Sequence, residues 1–148
     1  LKMREIECAV LGNDDPSASL PGEYIIKDKA KAFLDYQEKY SATGNNEFVV
    51  PAPVSAELAS KIQQMAIAAF KAIDGSGLAR VDFFLRSDTG SLLINEINTM
   101  PGLTEASGYP KMWAGTGLAF RDVLDQLIEL AEQRFDDRAR NQTSRVAD

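Results

Sequence analysis

One stretch, residues 77–110 (GLARVDFFLRSDTGSLLINEINTMPGLTEASGYP), constrains the fold more than any other. Residues 78–85 are rich in β-formers and alternate, with Ala79, Val81, Phe83 and Leu85 on one face and Arg80, Asp82 and Phe84 on the other. Residues 92–98 follow the same period, with Leu92, Ile94, Glu96 and Asn98 on one face and Leu93, Asn95 and Ile97 on the other. The segment Ser87-Asp88-Thr89-Gly90 is a turn signal, so the two runs form a hairpin. A three-residue loop, Asp88-Thr89-Gly90 with Gly90 left-handed, pairs Ser87 with Ser91, Asp82 with Glu96 and Arg80 with Asn98. A two-residue loop would set Asp82 against Asn95 and send Glu96 to the opposite face, because side chains alternate with period two.

In the first register two carboxylates oppose each other across a ladder, with an amide beside them. Like charges placed so are destabilising unless something compensates, and a divalent cation does so naturally. Asp, Glu and Asn oxygens without His or Cys form a hard-oxygen set suited to Mg²⁺ or Mn²⁺, ions that keep waters and take further ligands from phosphates. The plain alternative is a solvated hairpin with ordinary surface acids.

Composition removes several chemistries. The chain has no histidine, which excludes His-based acid–base catalysis, Ser-His triads and His metal sites within it. Cys8 is the single cysteine, so no internal disulfide forms and a reducing, cytoplasmic setting fits. A formal net charge of −6 argues against nucleic acid or an anionic membrane as partner, and no apolar run is long enough to span a bilayer. At 148 residues and 45% hydrophobic content, one domain with a sizeable core is expected.

The rest of the chain reads in order. Residues 4–11 (REIECAVL) form a strand, and its abrupt start suggests a fragment of a longer protein. Residues 12–21 are loop by composition, residues 22–26 a short strand, and residues 48–53 another, stopped by prolines. Between them, KDKAKAFLDYQEKY has helix-like content with weak periodicity. Ser55 caps a helix reaching about Asp74, with Leu58, Ile62, Met65, Ala69 and Ile73 as its buried stripe. Gly75 and Gly77 end it. Residues 99–110 read as a loop, Met112 and Trp113 as packing residues, and residues 118–135 as the last helix, with Phe120, Val123, Leu124, Leu127, Ile128, Ala131 and Phe135 on one face. Residues 136–148 form a polar tail expected to be disordered.

The ordered series Arg80-Val81-Asp82, Asn95-Glu96-Ile97-Asn98-Thr99, Pro101-Gly102, Thr104, Ser107 and Tyr109-Pro110 resembles the metal-binding end of ATP-grasp ligases, and in detail the D-alanine–D-alanine ligases. A lone NEIN would say little, whereas the whole series on a hairpin is specific. The resemblance covers nearly the whole chain to the polar tail. It implies an α+β fold, an ATP-grasp C-terminal subdomain over residues 1–135, with a mainly antiparallel sheet packed by helices on one side and open to nucleotide and metal on the other.

It further implies Asp82 and Glu96 on one Mg²⁺ (or Mn²⁺) and Glu96 and Asn98 on a second, with Arg80 and the Gly102 amide stabilising an oxyanion. Ser107, with Gly108 beside it, matches the position that binds the carboxylate of the second D-alanine; Gly108 stands where a larger side chain is usual, and Glu105 and Ala106 replace commoner small polar residues. Glu5 matches the glutamate that hydrogen-bonds the ATP ribose; its plain reading is a surface acid on an edge strand. Residues 33–40 (FLDYQEKY) look like the family's mobile loop, with Lys39 approaching the transferring phosphate and Tyr40 helping to close the site, although Leu34 stands where Tyr is common. Tyr40 also points to D-alanine rather than D-lactate as second substrate. The implied partners are ATP, D-alanine and the remaining domains of the same ligase, in a parent that is a homodimer. The implied activity is dipeptide formation for peptidoglycan synthesis, with the chain alone inactive. The rivals are another ATP-grasp carboxylate–amine ligase, a D-alanine–D-lactate ligase, and a non-catalytic binding module of the same fold; loss of any of Arg80, Asp82, Glu96 or Asn98 would have favoured the last.

Overall fold

The computed structural model of the chain describes residues 3–26 and 46–140. Lys39 and Tyr40 lie outside the described residues.

Strand β1, Met3–Gly12, is the centre of the sheet. A two-residue strand β2, Ser17–Ala18, folds back on its end, where composition suggested only loop. Strands β3, Gly22–Ile26, and β4, Asn46–Val49, extend the sheet on one side. Strands β5, Gly77–Arg86, and β6, Leu92–Asn98, extend it on the other. The order is β4-β3-β1-β5-β6, and every pairing is antiparallel. Glu5 therefore lies on a central strand, not an edge.

The hairpin keeps the expected pairs by an unexpected route. The Arg86 N–H donates to the Ser91 carbonyl (2.9 Å), which leaves a four-residue loop, residues 87–90. Gly90 is left-handed, as expected (φ 69°). From this loop the register runs Leu85 with Leu92, Phe84 with Leu93 and Phe83 with Ile94. Continued regularly, it would set Asp82 against Asn95. Instead Asn95 is an extra residue, a β-bulge, and Asp82 pairs with Glu96 and Arg80 with Asn98. The expected face assignment of β6 is thereby corrected: Leu92 and Ile94 lie on the opposite face from Glu96 and Asn98, and Ile97 joins them. The physical reason is in the core. Leu92 and Ile97 both pack against it, and residues five apart share a face only if one residue is added between them.

The core lies on both faces of the sheet. One face carries Ile6, Cys8 and Val10 of β1 and Ala79, Val81, Phe83 and Leu85 of β5. Helix α1, Ala56–Ala72, covers it with Ile62, Ala66, Ala69 and Phe70. Ser55 caps this helix, its hydroxyl accepting the Leu58 N–H at 3.2 Å. Ile73 does not join the stripe: it is the C-cap residue and is exposed, and Phe70 fills the core in its place. The other face carries Ala9, Leu11 and Leu78, under helix α2, Gly108–Thr116, and helix α3, Phe120–Ala139. Helices thus cover both faces, not one. On this second face they pack over the end near Leu11, and the first residue of α2, Gly108, reaches Glu7. Met112 and Trp113 are buried, as expected, but within α2, a helix the sequence reading did not contain. Helix α3 begins at Phe120 and continues to Ala139 rather than ending near Phe135. Among the described residues no helix is long and apolar enough to cross a membrane.

Cys8 sits in the first core, its thiol 3.5 Å from the Ser19 carbonyl. Burial pushes its pKa from the ordinary 9.0 up to about 12, against a smaller opposing effect of Ser19. The unfolded chain therefore ionises Cys8 first as pH rises, and folding stability should fall between about pH 9 and about pH 12. Alkylation at pH 8 should require unfolding; rapid labelling of native chain would contradict this burial.

Candidate functional site

The polar end of the second face is built by register. Glu7 of β1 is opposite Asp82 of β5, and Asp82 is opposite Glu96 of β6. Arg80, two residues before Asp82, shares its face. Glu5 lies one same-face position beyond Glu7, opposite Phe84. Three strands thus place Glu5, Glu7, Arg80, Asp82, Glu96 and Asn98 on one surface.

Arg80 is the hub. Its guanidinium forks onto Asp82, Nε to Oδ1 and Nη2 to Oδ2, both at 2.7 Å. Glu7 Oε2 is 3.4 Å from the same Nε, and Glu96 Oε1 is 4.0 Å from Nη2. Arg80, Asp82 and Glu7 are 8%, 6% and 2% exposed, whereas the Glu96 side chain is 60% exposed. One cation is thus flanked by three carboxylates, two of them withdrawn from water. The Arg80–Asp82 pair survives burial because its two charges meet in close, directional hydrogen bonds.

The metal expectation can be tested against these residues. Among those described, no group of three or more acidic or thiol side chains converges as a ready-made cage. Asp82 and Glu96 oppose each other, and Asn98 lies on the same face, its Oδ1 accepting the Met100 N–H at 3.0 Å. Two carboxylates and an amide fit an ion that retains water and completes its shell with phosphate oxygens. They fit it once Asp82 gives up part of its fork with Arg80.

The segment after β6 folds on itself where Gly102 meets Ser107. A Cβ at Gly102 would stand 2.8 Å from Ser107 Oγ, so glycine permits that approach. Ser107 Oγ accepts the Thr104 N–H (3.3 Å) and lies 2.9 Å from Thr104 Oγ1. Ser107 is also the residue before α2, so the region read as a loop to Pro110 already contains a helix N-terminus. Pro110 does not prevent this, because the first-turn N–H groups of a helix have no internal acceptor. Gly108 is the first helical residue. A Cβ there would meet Glu7 Oε2 at 3.0 Å and the Phe48 ring at 3.1 Å. Gly108→Ala should therefore cost about 1–3 kcal/mol by overpacking, read as a lower midpoint in urea.

Glu7 is the residue the sequence reading missed. It touches the space of Gly108 and of Arg80, so it joins the sheet surface to the start of α2. The signal was its spacing from Glu5, two residues on and hence on the same face of β1. What no local pattern revealed was that β1 would pair with β5.

The family model described as "D-ala D-ala ligase C-terminus" matches residues 1–129. A D-alanine–D-alanine ligase of Ruminiclostridium cellulolyticum is 48% identical over 142 residues, covering 95% of this chain and 37% of that protein. The structure of the D-alanine–D-alanine ligase from Coxiella burnetii is similar with a TM-score of 0.77 and 43% identity, over 95% of this chain and 35% of that one. The Bacillus anthracis D-alanine–D-alanine ligase, solved in complex with ATP, is similar with a TM-score of 0.73 and 27% identity, over 93% of this chain and 42% of that one. The chain thus spans well under half the length of the relatives it matches.

Proposed function

The chain belongs to the family of D-alanine–D-alanine ligase C-termini, and from that premise we propose that it is the nucleotide- and cation-binding part of an enzyme joining two D-alanines at the expense of ATP. The observation that carries this reading is the opposition of Asp82 and Glu96 across the β5–β6 ladder, with Arg80 against both.

In this reading ATP phosphorylates the carboxylate of the first D-alanine. The amine of the second attacks the resulting acyl phosphate, and the tetrahedral intermediate expels inorganic phosphate to leave the dipeptide. Asp82 and Glu96 would hold one Mg²⁺ or Mn²⁺ ion, and Glu96 and Asn98 another. When bound, the ions offset the negative charge of the phosphates during phosphoryl transfer. Arg80 and the Gly102 N–H would face the oxyanion of the tetrahedral intermediate. Ser107 and Gly108, at the start of α2, offer a hydroxyl and a first-turn helix N–H to a carboxylate, which suits the acid end of the second D-alanine. Glu5 would take the ribose hydroxyls. Lys39 would neutralise the transferring phosphate and Tyr40 help close the site, with its identity favouring D-alanine as second substrate. The reaction would run in the cytoplasm, where ATP is made, in service of peptidoglycan synthesis. The first D-alanine site and part of the nucleotide site belong to the rest of a homodimeric parent.

The direct test is the parent enzyme assayed for D-alanyl-D-alanine and phosphate with ATP and Mg²⁺, beside its Glu96→Gln variant. Cation-dependent dipeptide formation, lost in the variant, is expected. Full activity of the variant would overturn the assignment of Glu96. The 148-residue chain alone should form no dipeptide, and measurable product from it would show that the remaining portion is dispensable.

A further inference from the structure

We propose that the chain holds a second small-molecule site, for a carboxylate on an apolar body, in the cavity between helix α3 and the end of the β1–β5 pair. The residues that build it are not those of the cation surface, and the inference stands apart from the reading of Asp82 and Glu96.

The cavity has a volume of about 450 Å³, within the range of small-molecule sites. Leu78 of β5 and Leu127, Leu130 and Ala131 of α3 line it with hydrocarbon. Phe135 also lines it and is 72% exposed, which leaves apolar surface for a ligand to cover. Asn13 holds the walls together. Its Nδ2 donates to the Leu130 carbonyl (3.0 Å), and its Oδ1 accepts the Ser76 hydroxyl (2.8 Å) and the Gly77 N–H (3.1 Å). The charge comes from Arg134 and Arg138, one helical turn apart on α3 and both in the lining. Arg134 Nε is buried, and its N–H donates to nothing among the described residues. A buried donor left so is costly and calls for an acceptor. Asp74 is not that acceptor: its Oδ2 lies 3.8 Å from Arg134 Nη2, beyond hydrogen-bond length, and its side chain is 96% exposed. A carboxylate would take the Nε–H in a charge-assisted bond, strengthened by the dry walls around it. A bare anion would leave the leucines wet, and a neutral hydrocarbon would leave the Nε–H unpaired. Only a molecule with both parts answers both features of the cavity.

The test is calorimetric titration of the parent enzyme, and of the 148-residue chain beside it, with phenylbutyrate. Both should bind it. Phenylbutanol, which keeps the body and lacks the charge, should bind roughly tenfold more weakly, the scale of one hydrogen bond to a charged group. Acetate, which keeps the charge and lacks the body, should give no binding heat at the same concentrations. Arg134→Met should weaken phenylbutyrate by about the same tenfold and leave phenylbutanol unchanged. Ala131→Trp, which fills the cavity without altering its charges, should abolish binding of both. Both variants should keep a single cooperative thermal transition, and if Ala131→Trp fails to fold, Arg134→Met decides alone. Equal affinity for acid and alcohol would mean an apolar surface with no anion site and would overturn the proposal, as would acetate binding as tightly as phenylbutyrate. Binding that survives Ala131→Trp would place the probe elsewhere and overturn it too. Binding by the chain but not by the parent would show that another part of the parent fills the cavity, and absence of binding by either would show that it takes no such ligand; each result sinks the site.

Discussion

Arg80→Met is expected to destabilise the chain by about 3–5 kcal/mol, because it breaks the buried, forked pair of Arg80 with Asp82. Methionine fills much of the arginine stem, so little of this loss comes from a cavity. Urea unfolding of the chain measures it directly, and a loss below about 1 kcal/mol, the scale of an exposed ion pair, would show that water already screens the site. In the parent enzyme the same change should lower kcat by about 10²–10³, the usual cost of removing one donor to a developing oxyanion. Lysine should not rescue it, since a point charge cannot reproduce the two-pronged fork onto Asp82.

Asp82→Asn should separate the two roles that Arg80→Met mixes. An amide keeps the shape but accepts one guanidinium hydrogen bond where the carboxylate accepts two. The stability loss should be only about 1.5–3 kcal/mol, the scale of a hydrogen bond to a charged group. Activity of the parent should fall much further, by about 10³, because several kcal/mol of charge stabilisation at the phosphates goes with the ligand. Thermal unfolding beside dipeptide formation reads both effects. If the two losses were comparable, Asp82 would be a structural partner of Arg80 and nothing more.

What could be read in advance divides along the range of the interactions. The β5–β6 hairpin, the left-handed Gly90 and the cap at Ser55 are local, and each was legible in the alternation, the turn residues or the start of an apolar stripe. The pairing of Asp82 with Glu96 was also legible, but the expected route to it was wrong. A three-residue loop was invoked where the chain uses four residues and a bulge at Asn95. The clue was the apolar pair Leu92 and Ile97, whose odd spacing conflicts with a regular strand. Helix α2 was hidden because Gly108 and Pro110 read as breakers, although both suit a first helical turn. Glu7 was hidden for a different reason: its partners Arg80 and Asp82 are more than seventy residues away along the chain, and strand pairing at that range leaves no local period to detect.

The bulge at Asn95 sets a condition on any transplant of this hairpin. Protein engineers who wished to graft the Glu96/Asn98 pair onto a plain antiparallel ribbon would be tempted to copy the side chains and tidy the backbone. With the same loop and a regular ladder, Asp82 would face Asn95, and both donors would turn inward among the apolar residues of the recipient. The transferable unit is therefore the irregularity together with its side chains: one surplus residue lets a single strand serve an oily interior at Leu92 and Ile97 and an ionic surface at Glu96 and Asn98.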